Sequence, residues 1–298
     1  MIVPVSIAAA EAFAPLRQAL QSKELKLWTA HFANRPGQLF SGAQNRLTIV
    51  LASNDSGKIE IFSTKYHRWD GKNGERIDLF PKLAYASVGE LLSLAHGSIP
   101  KIGSTLGASI FHKLGLHRPL AEALVRQSES VVHWVRVPGY FCQFHIHPPM
   151  ARPERGGPAR PRGELLSISL PNAGHQRVAH AILNSSTFYT YFCFTTDGRH
   201  VNPSDVKLFP FGIGGLDRRR ADDLRRASVS LEESFRENTS AVRKSGLLID
   251  SVDVSKAKPW IDPIDRIMAA YYGFTDEELD FIINYDIKYR LGADADEE

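Results

Sequence analysis

Three histidines and an aromatic run are the first groups in this sequence with chemistry to offer. His145 and His147 stand two apart in a strand-like stretch, so their side chains face the same side, and with His133 they suggest a metal pair. No carboxylate or cysteine joins them at a workable spacing, and the metal reading is set aside. The run Phe188-Tyr-Thr-Tyr-Phe-Cys-Phe194 has two readings, a platform for stacked bases or a packed core element. Core packing is preferred, because Phe, Tyr and Cys favour interiors. Cys142 and Cys193 both sit in aromatic, strand-like runs. Two such cysteines fit reduced, buried thiols and a cytoplasmic location better than a disulfide framework or a zinc site.

These groups need a scaffold, and the 298 residues, 43% hydrophobic and 23% charged, suffice for one large or two modest globular domains. The net charge of +3 is only mildly basic, so any attraction to phosphate must come from how Arg and Lys cluster. No apolar stretch approaches the roughly 20 residues that a membrane-spanning helix needs, and no membrane partner is expected. The opening Met1-Ile-Val-Pro-Val-Ser-Ile-Ala-Ala-Ala is superficially like a secretion signal. It lacks a basic leader, and Pro4 and Glu11 keep its apolar run short, so a signal peptide is not expected.

Along the chain, residues 2–5 read as the end of a buried strand, and Pro15 suits the start of a short helix over 16–20. Strands are expected at 25–32, 47–52 and 58–63, with a Pro36-Gly37 turn between the first two. A short helix is expected at 88–95, followed by a Gly-rich basic segment to 118. Strand character returns at 131–137, 139–145 and 165–170, with 148–163 an exposed, mobile Pro/Gly/Arg loop. Residues 176–184 read as a helix with Val178, Ala181 and Ile182 inward. Residues 217–237 form a charged helix in which Arg218-Arg-Arg220 and Arg225-Arg226 alternate with Asp222 and Asp223, the pattern of an exposed, salt-bridged face. An amphipathic helix is expected at 259–272, a capping box of Thr275 with Glu278 starts another through 284, and 293–298 is a frayed acidic tail.

Three separated stretches resemble the large Eco57I-like adenine-N6 DNA methylases of restriction-modification systems. The first is Ile2-Val-Pro-Val-Ser6 with Leu16-Arg17 and Leu39-Phe-Ser-Gly-Ala-Gln-Asn-Arg-Leu-Thr-Ile-Val50, similar to the late strands of the methylase domain. The second is Leu183-Asn-Ser-Ser-Thr-Phe-Tyr-Thr-Tyr-Phe192 with Asp197-Gly-Arg-His200 and Leu208-Phe-Pro210, similar to the specificity region that follows. The third is Ile261-Asp-Pro-Ile-Asp-Arg266 with Tyr272-Gly-Phe-Thr-Asp-Glu-Glu-Leu-Asp-Phe-Ile-Ile-Asn-Tyr-Asp286, similar to the closing helices.

The resemblance implies an α/β fragment of a Rossmann-like methyltransferase sheet over 1–85, an α+β target-recognition domain over 86–245, and a C-terminal helical segment over 246–298. It also implies S-adenosylmethionine as the cofactor of the complete enzyme. This chain departs from the family there, because it has neither the cofactor-binding glycine loop nor the Asn/Asp/Ser-Pro-Pro-aromatic motif that polarises the adenine amino group. His147-Pro-Pro-Met150 has the wrong first and last residues and the wrong place in the order. Phe211-Gly-Ile-Gly-Gly215 misses the glycine pattern by register and reads as a loop before the charged helix. The expectation is a DNA-recognition part that is inactive alone, binds no cofactor or metal, and works on double-stranded DNA with a separate chain carrying the missing motifs. The alternatives are a methyltransferase with an unrecognised cofactor site and a non-enzymatic docking subunit. An incomplete sheet would leave an exposed edge and an uncovered apolar face, hence poor solubility without that partner.

An enzyme acting on adenine N6 must take the base out of the stack, and an aromatic must receive it. The position that matches such an aromatic is Phe40, although it could equally plug the hairpin core. Arg46 could reach a phosphate or simply be an exposed residue at a strand start. Base reading and phosphate contact call for Arg, Lys and His on a rigid scaffold, and the expected contacts are Lys101, Lys113, Arg118, Arg136, Arg152, Arg155, Arg160, Arg162, Arg199 and His200.

Overall fold

The computed structural model describes residues 1–21, 25–42, 44–54, 58–69, 78–163 and 165–291. Mixed α/β structure is distributed over two compact units, one of residues 1–116 with 191–198, the other of 117–190 with the residues from 199 on. The acidic tail at 293–298 lies outside the described residues, as does Ala43 in the first stretch.

In the first unit the period-2 stretches become strands. β1 (Ile2–Pro4), β2 (Lys26–Phe32), β3 (Leu47–Ser53), β4 (Glu60–His67) and β5 (Ala86–Ser87) form one sheet in the order β1-β3-β2-β4-β5. Strands β2 and β4 run parallel, and the other neighbours are antiparallel. The helices are α1 (Ser6–Ala9), α2 (Ala14–Gln21) and α3 (Thr105–Gly115). Strand β1 is an edge strand, not a buried one: Ile2 is 53% exposed, and Pro4, with no N–H to donate, suits a sheet edge. The helix expected at 88–95 shrinks to a single 3-10 turn over Gly89–Leu91 followed by turns. His96 and Gly97, at φ 50° and 77°, then reverse the chain, and the Gly97 carbonyl accepts a 2.8 Å hydrogen bond from buried Arg17.

The second unit contains β6 (Val131–Val135), β7 (Phe144–His145), β8 (Met150–Pro153), β9 (Arg160–Pro161), β10 (Leu165–Ser169), β11 (Thr239–Lys244) and β12 (Leu247–Val252). They make two sheets, β10-β6-β7 and β11-β12-β8-β9. The helices are α4 (Ala173–Leu183), α5 (Ser186–Thr195), α6 (Pro203–Lys207), α7 (Arg218–Glu237), α8 (Lys258–Tyr272), α9 (Asp276–Ile283) and α10 (Ile287–Leu291). The first half of α5 belongs to this unit and its second half to the other. Trp134, Phe144, Phe188 and Phe209 pack ring against ring at 5.1–5.5 Å to form the core of the second unit. Of the strand expected at 139–145 only Phe144–His145 forms, and the segment 148–163 is not merely a loop, since it supplies β8 and β9.

The aromatic run 188–194 is a helix rather than a strand-like stretch. Ser185 caps it, its hydroxyl accepting the Phe188 N–H at 3.0 Å, and every residue from Val178 to Phe194 is buried. A helix apolar on all sides has to be buried, so burial overrides the strand preference of Phe, Tyr and Thr. Helix α7 carries its expected ion pairs, and Thr275 and Glu278 make the capping box of α9. The expected boundary between 245 and 246 falls on the two-residue turn of the β11–β12 hairpin, where Ser245 and Gly246 both take positive φ, as type I′ turns require. Among the described residues no helix is long and apolar enough to cross a membrane.

Candidate nucleic-acid interface and its cavity

The sheet β11-β12-β8-β9 is built unlike the rest of the fold. An antiparallel sheet ordinarily lays one face on a core, yet every residue of β11 is exposed, and Arg152, Pro153, Arg160 and Pro161 are exposed too. Cross-strand partners share a face. The register aligns Arg243, Leu248 and Arg152 on one side, and Val242, Ile249, Ala151 and Arg160 on the other. Arg155 lies in the β8–β9 connection, and Arg162 follows β9, its N–H donating to the Pro149 carbonyl at 3.1 Å. Arg243 pairs with Glu154 at 2.7 Å, whereas Arg152, Arg155, Arg160, Arg162 and Lys244 have no ion-pair partner among the described residues. The fold thus gathers four of the expected contacts, Arg152, Arg155, Arg160 and Arg162, and adds Arg243 and Lys244, which belong to a hairpin that the sequence reading missed.

One end of this sheet walls a cavity of about 550 Å³. Asp250, Val252 and Thr239 meet there with His145, His147, His180, Glu232, Phe235 and Arg236. The Asp250 carboxylate accepts the Met150 N–H at 3.1 Å. Glu232, one turn before Arg236 on α7, accepts hydrogen bonds from His147 Nδ1 and from Arg177. Burial pushes Glu232 upward, but those two donors outweigh it and hold the carboxyl below its usual range.

His145 and His180 are 6% and 1% exposed, and the ring of Phe235 contacts both, with centroids 5.6 and 6.2 Å away. Burial, reinforced by His133 and Arg162, lowers His145 to about 4. Burial, reinforced by neighbouring His145, lowers His180 to about 3, against the smaller pull of Glu232 and the Phe144 carbonyl. Both rings are therefore neutral near pH 7. His180 Nδ1 meets Ser228 Oγ at 2.9 Å and the Phe144 carbonyl lies beside the same ring, while His145 Nε2 has no hydrogen-bond partner among the described residues. His147, the third member of the sequence-level trio, is exposed, and the register sets His133 opposite His145. No group of three potential ligands able to hold a metal occurs among the described residues.

The remaining expected contacts are dispersed. Lys101 is a correction: it is fully buried, and its ammonium donates to the carbonyls of Phe194, at 3.1 Å, and Thr196. It satisfies carbonyls at the C-terminal end of α5, where a cation is favoured, and it cannot reach a phosphate. Phe40 is 42% exposed beside buried Leu39, so it does not plug the hairpin core. Arg46 is half-buried at the approach to β3, and Lys113 is half-buried in the last turn of α3. In the second unit Arg118 pairs with Glu122 at 3.1 Å. Arg136, Arg199 and His200 lie close together, because the Val201 N–H donates to the Arg136 carbonyl at 2.8 Å and Arg136 reaches Asn202 at 3.3 Å.

Gly212–Gly215 follows helix α6 rather than a strand, and His147-Pro-Pro-Met150 joins β7 to β8 with His147 engaged by Glu232. No protein-family model matches the chain, and no curated protein sequence matches it.

Proposed function

We propose that this chain is the DNA-binding and target-recognition part of an adenine-specific N6 DNA methyltransferase of the restriction-modification type. Its target is double-stranded DNA, and a separate chain carries the S-adenosylmethionine and Asn-Pro-Pro-Tyr type motifs in the cytoplasm. The observation that carries the reading is the solvated β11-β12-β8-β9 sheet, with Arg152 and Arg243 on one face and Arg160 on the other. A sheet that buries little of its own surface and carries uncompensated guanidinium groups is suited to a polyanion. Two-stranded β-ribbons fit the major groove, and Arg pairs bidentately with guanine or phosphate. The parallel β2–β4 pair supports reading residues 1–85 as late strands of a Rossmann-like methylase sheet, of which β1 is the exposed edge.

The test is binding of the full chain to a labelled duplex over a range of salt. Phosphate neutralisation demands a linear fall of log affinity with log salt, with a slope of about −0.9 per phosphate contacted. No binding at low salt would overturn the DNA reading and favour a docking subunit. Labelled S-adenosylmethionine is expected to show no saturable micromolar binding; saturation would mean that the chain holds its own cofactor site.

A further inference from the structure

A bare sheet edge is a template for another strand, and folds guard their edges with short strands, prolines or charges. Among the described residues the sheets follow that rule at every edge but one. β5, β7 and β9 have two residues each, β9 ends on Pro161, β1 carries Pro4, and β10 is bridged at Ser169 by Val125. β11 is the exception, an edge strand of six exposed residues with no proline, an unbroken register against β12, and no charge from Thr239 to Val242. Its outward groups follow from the hairpin. The two-residue turn Ser245-Gly246 makes Lys244 and Leu247 a hydrogen-bonded pair, so Val242 and Ser240 also bond to β12. Asn238 keeps the alternation, its carbonyl accepting the Asp253 N–H at 3.0 Å. Thr239, Ala241 and Arg243 therefore turn their N–H and C=O groups away from β12, to the side where no strand lies among the described residues.

We infer that β11 pairs with β11 of a second copy of this chain, antiparallel about a two-fold axis at Ala241. That register alone engages all three outward residues. Ala241 faces Ala241, and Thr239 faces Arg243 in both directions, each pair exchanging N–H···O bonds. Small neutral side chains meet at the centre, and no cation stands opposite a cation. Lys244 of each copy falls opposite Asn238 of the other, beside the C-terminal end of α7 and the exposed carboxylate of Glu237, while Arg236 lines the cavity instead. A helix C-terminus and a carboxylate both favour a cation, and this match selects a second copy over an unrelated strand. Arg243 is already held by Glu154 at 2.7 Å, which limits repulsion across the axis. The pairing closes on itself, because the opposite edge, β9, is too short to continue it. A single strand pairing buries less than the roughly 1,200 Å² of a stable interface, so the dimer is weak. It does not depend on the DNA reading.

The experiment is sedimentation equilibrium of the full chain without DNA, with a monomer expected at about 2 µM and a dimer at about 200 µM, as suits a small interface. Ala241→Lys and Ala241→Glu each set like charges face to face across the axis and should be monomeric over the whole range. Their equimolar mixture sets Lys against Glu and should recover the dimer. Ala241 is exposed, so both variants should keep the urea unfolding midpoint of the parent chain. A parent chain that is monomeric at the highest concentration overturns the pairing and leaves β11 to a strand of another protein. A dimer that survives both substitutions, or a mixture that stays monomeric, overturns the register about Ala241 and the inference with it. Growth beyond two copies overturns the closed two-fold. Each of these outcomes leaves the DNA reading intact, since that is tested by duplex binding at concentrations where the chain is monomeric.

Discussion

Asp265 on α8 holds Thr187 on α5 by two hydrogen bonds, accepting the backbone N–H and the hydroxyl at 2.9 Å each through the same oxygen. Its other oxygen accepts the Ser186 N–H at 3.1 Å, and Arg290 donates to the Ser186 hydroxyl at 3.0 Å. Two stretches that carry the methylase resemblance, 183–192 and 261–266, thus meet at a buried helix N-terminus. Ser186, Thr187, Asp265 and Arg290 are all buried, and their hydrogen bonds tie α5, α8 and α10 together in the second unit. Asp265→Ala strands the first N–H groups of α5 in the interior and should destabilise the chain by about 3 kcal/mol, whereas Asp265→Asn keeps an acceptor and should lose about half as much. Urea unfolding measures both. Equal losses would mean that the acceptor is not what matters.

Lys101 makes a parallel case at the other end of α5, within the first unit. Lys101→Met keeps the stem and deletes the donor to the Phe194 and Thr196 carbonyls, for an expected loss of about 1–3 kcal/mol. Affinity for duplex DNA, measured on the folded fraction, should be unchanged. A weakened salt slope in this variant would contradict the burial of the ammonium.

The buried histidines set a pH dependence. Burial lowers His67 and His145 to about 4, His180 to about 3, and His31 well below its usual value, with help from Lys101 and His67. Once unfolded, each takes a proton near pH 6.5, so below that the unfolded state binds more protons and stability falls with pH. The effect is absent above about pH 6.5 and grows down to the folded values, by up to about 1.4 kcal/mol per pH unit for each histidine. Denaturation midpoints should drop steadily from pH 7 to pH 5. A flat or rising profile would show that the rings are protonated in the folded chain.

Where hydrophobic period and local capping agreed, the sequence was a good guide: β2 and β3 fall within a residue of expectation, and α7, α8 and the Thr275–Glu278 box lie where the pattern put them. Legibility failed where tertiary context reversed a local preference. The run 188–194 has strand composition but is a helix because it is enclosed on every side. Lys101 reads as a surface cation, and nothing nearby in sequence reveals the carbonyls that take it inside. The hairpin β11–β12 could have been found from Ser245-Gly246 between Thr239–Lys244 and Leu247–Val252, but neither run alternates apolar with polar residues, so it had no core signal. The cavity was illegible for a different reason: His145, His180, Glu232 and Asp250 come from four separate elements or their flanks.

The last prediction separates arginines by what already neutralises them. Helix α7 is as rich in Arg as the sheet, but Arg220 pairs with Asp217, Arg225 with Asp222 at 2.7 Å, and Arg226 with Asp223. A guanidinium bound to a carboxylate brings little net charge to a phosphate, and exposed pairs of this kind add little stability. Arg152 and Arg160 have no such partner among the described residues, and Arg243 shares a single carboxylate, that of Glu154. Arg152→Ala and Arg160→Ala should each weaken duplex binding and reduce the salt slope by about 1, since each deletes one phosphate-neutralising contact. If either instead reads a base, affinity falls for some sequences and not others while the slope holds. Arg226→Ala should leave both affinity and slope near those of the parent chain. Uniform losses across sheet and helix would place the DNA on no particular surface and remove the sheet as the reading element.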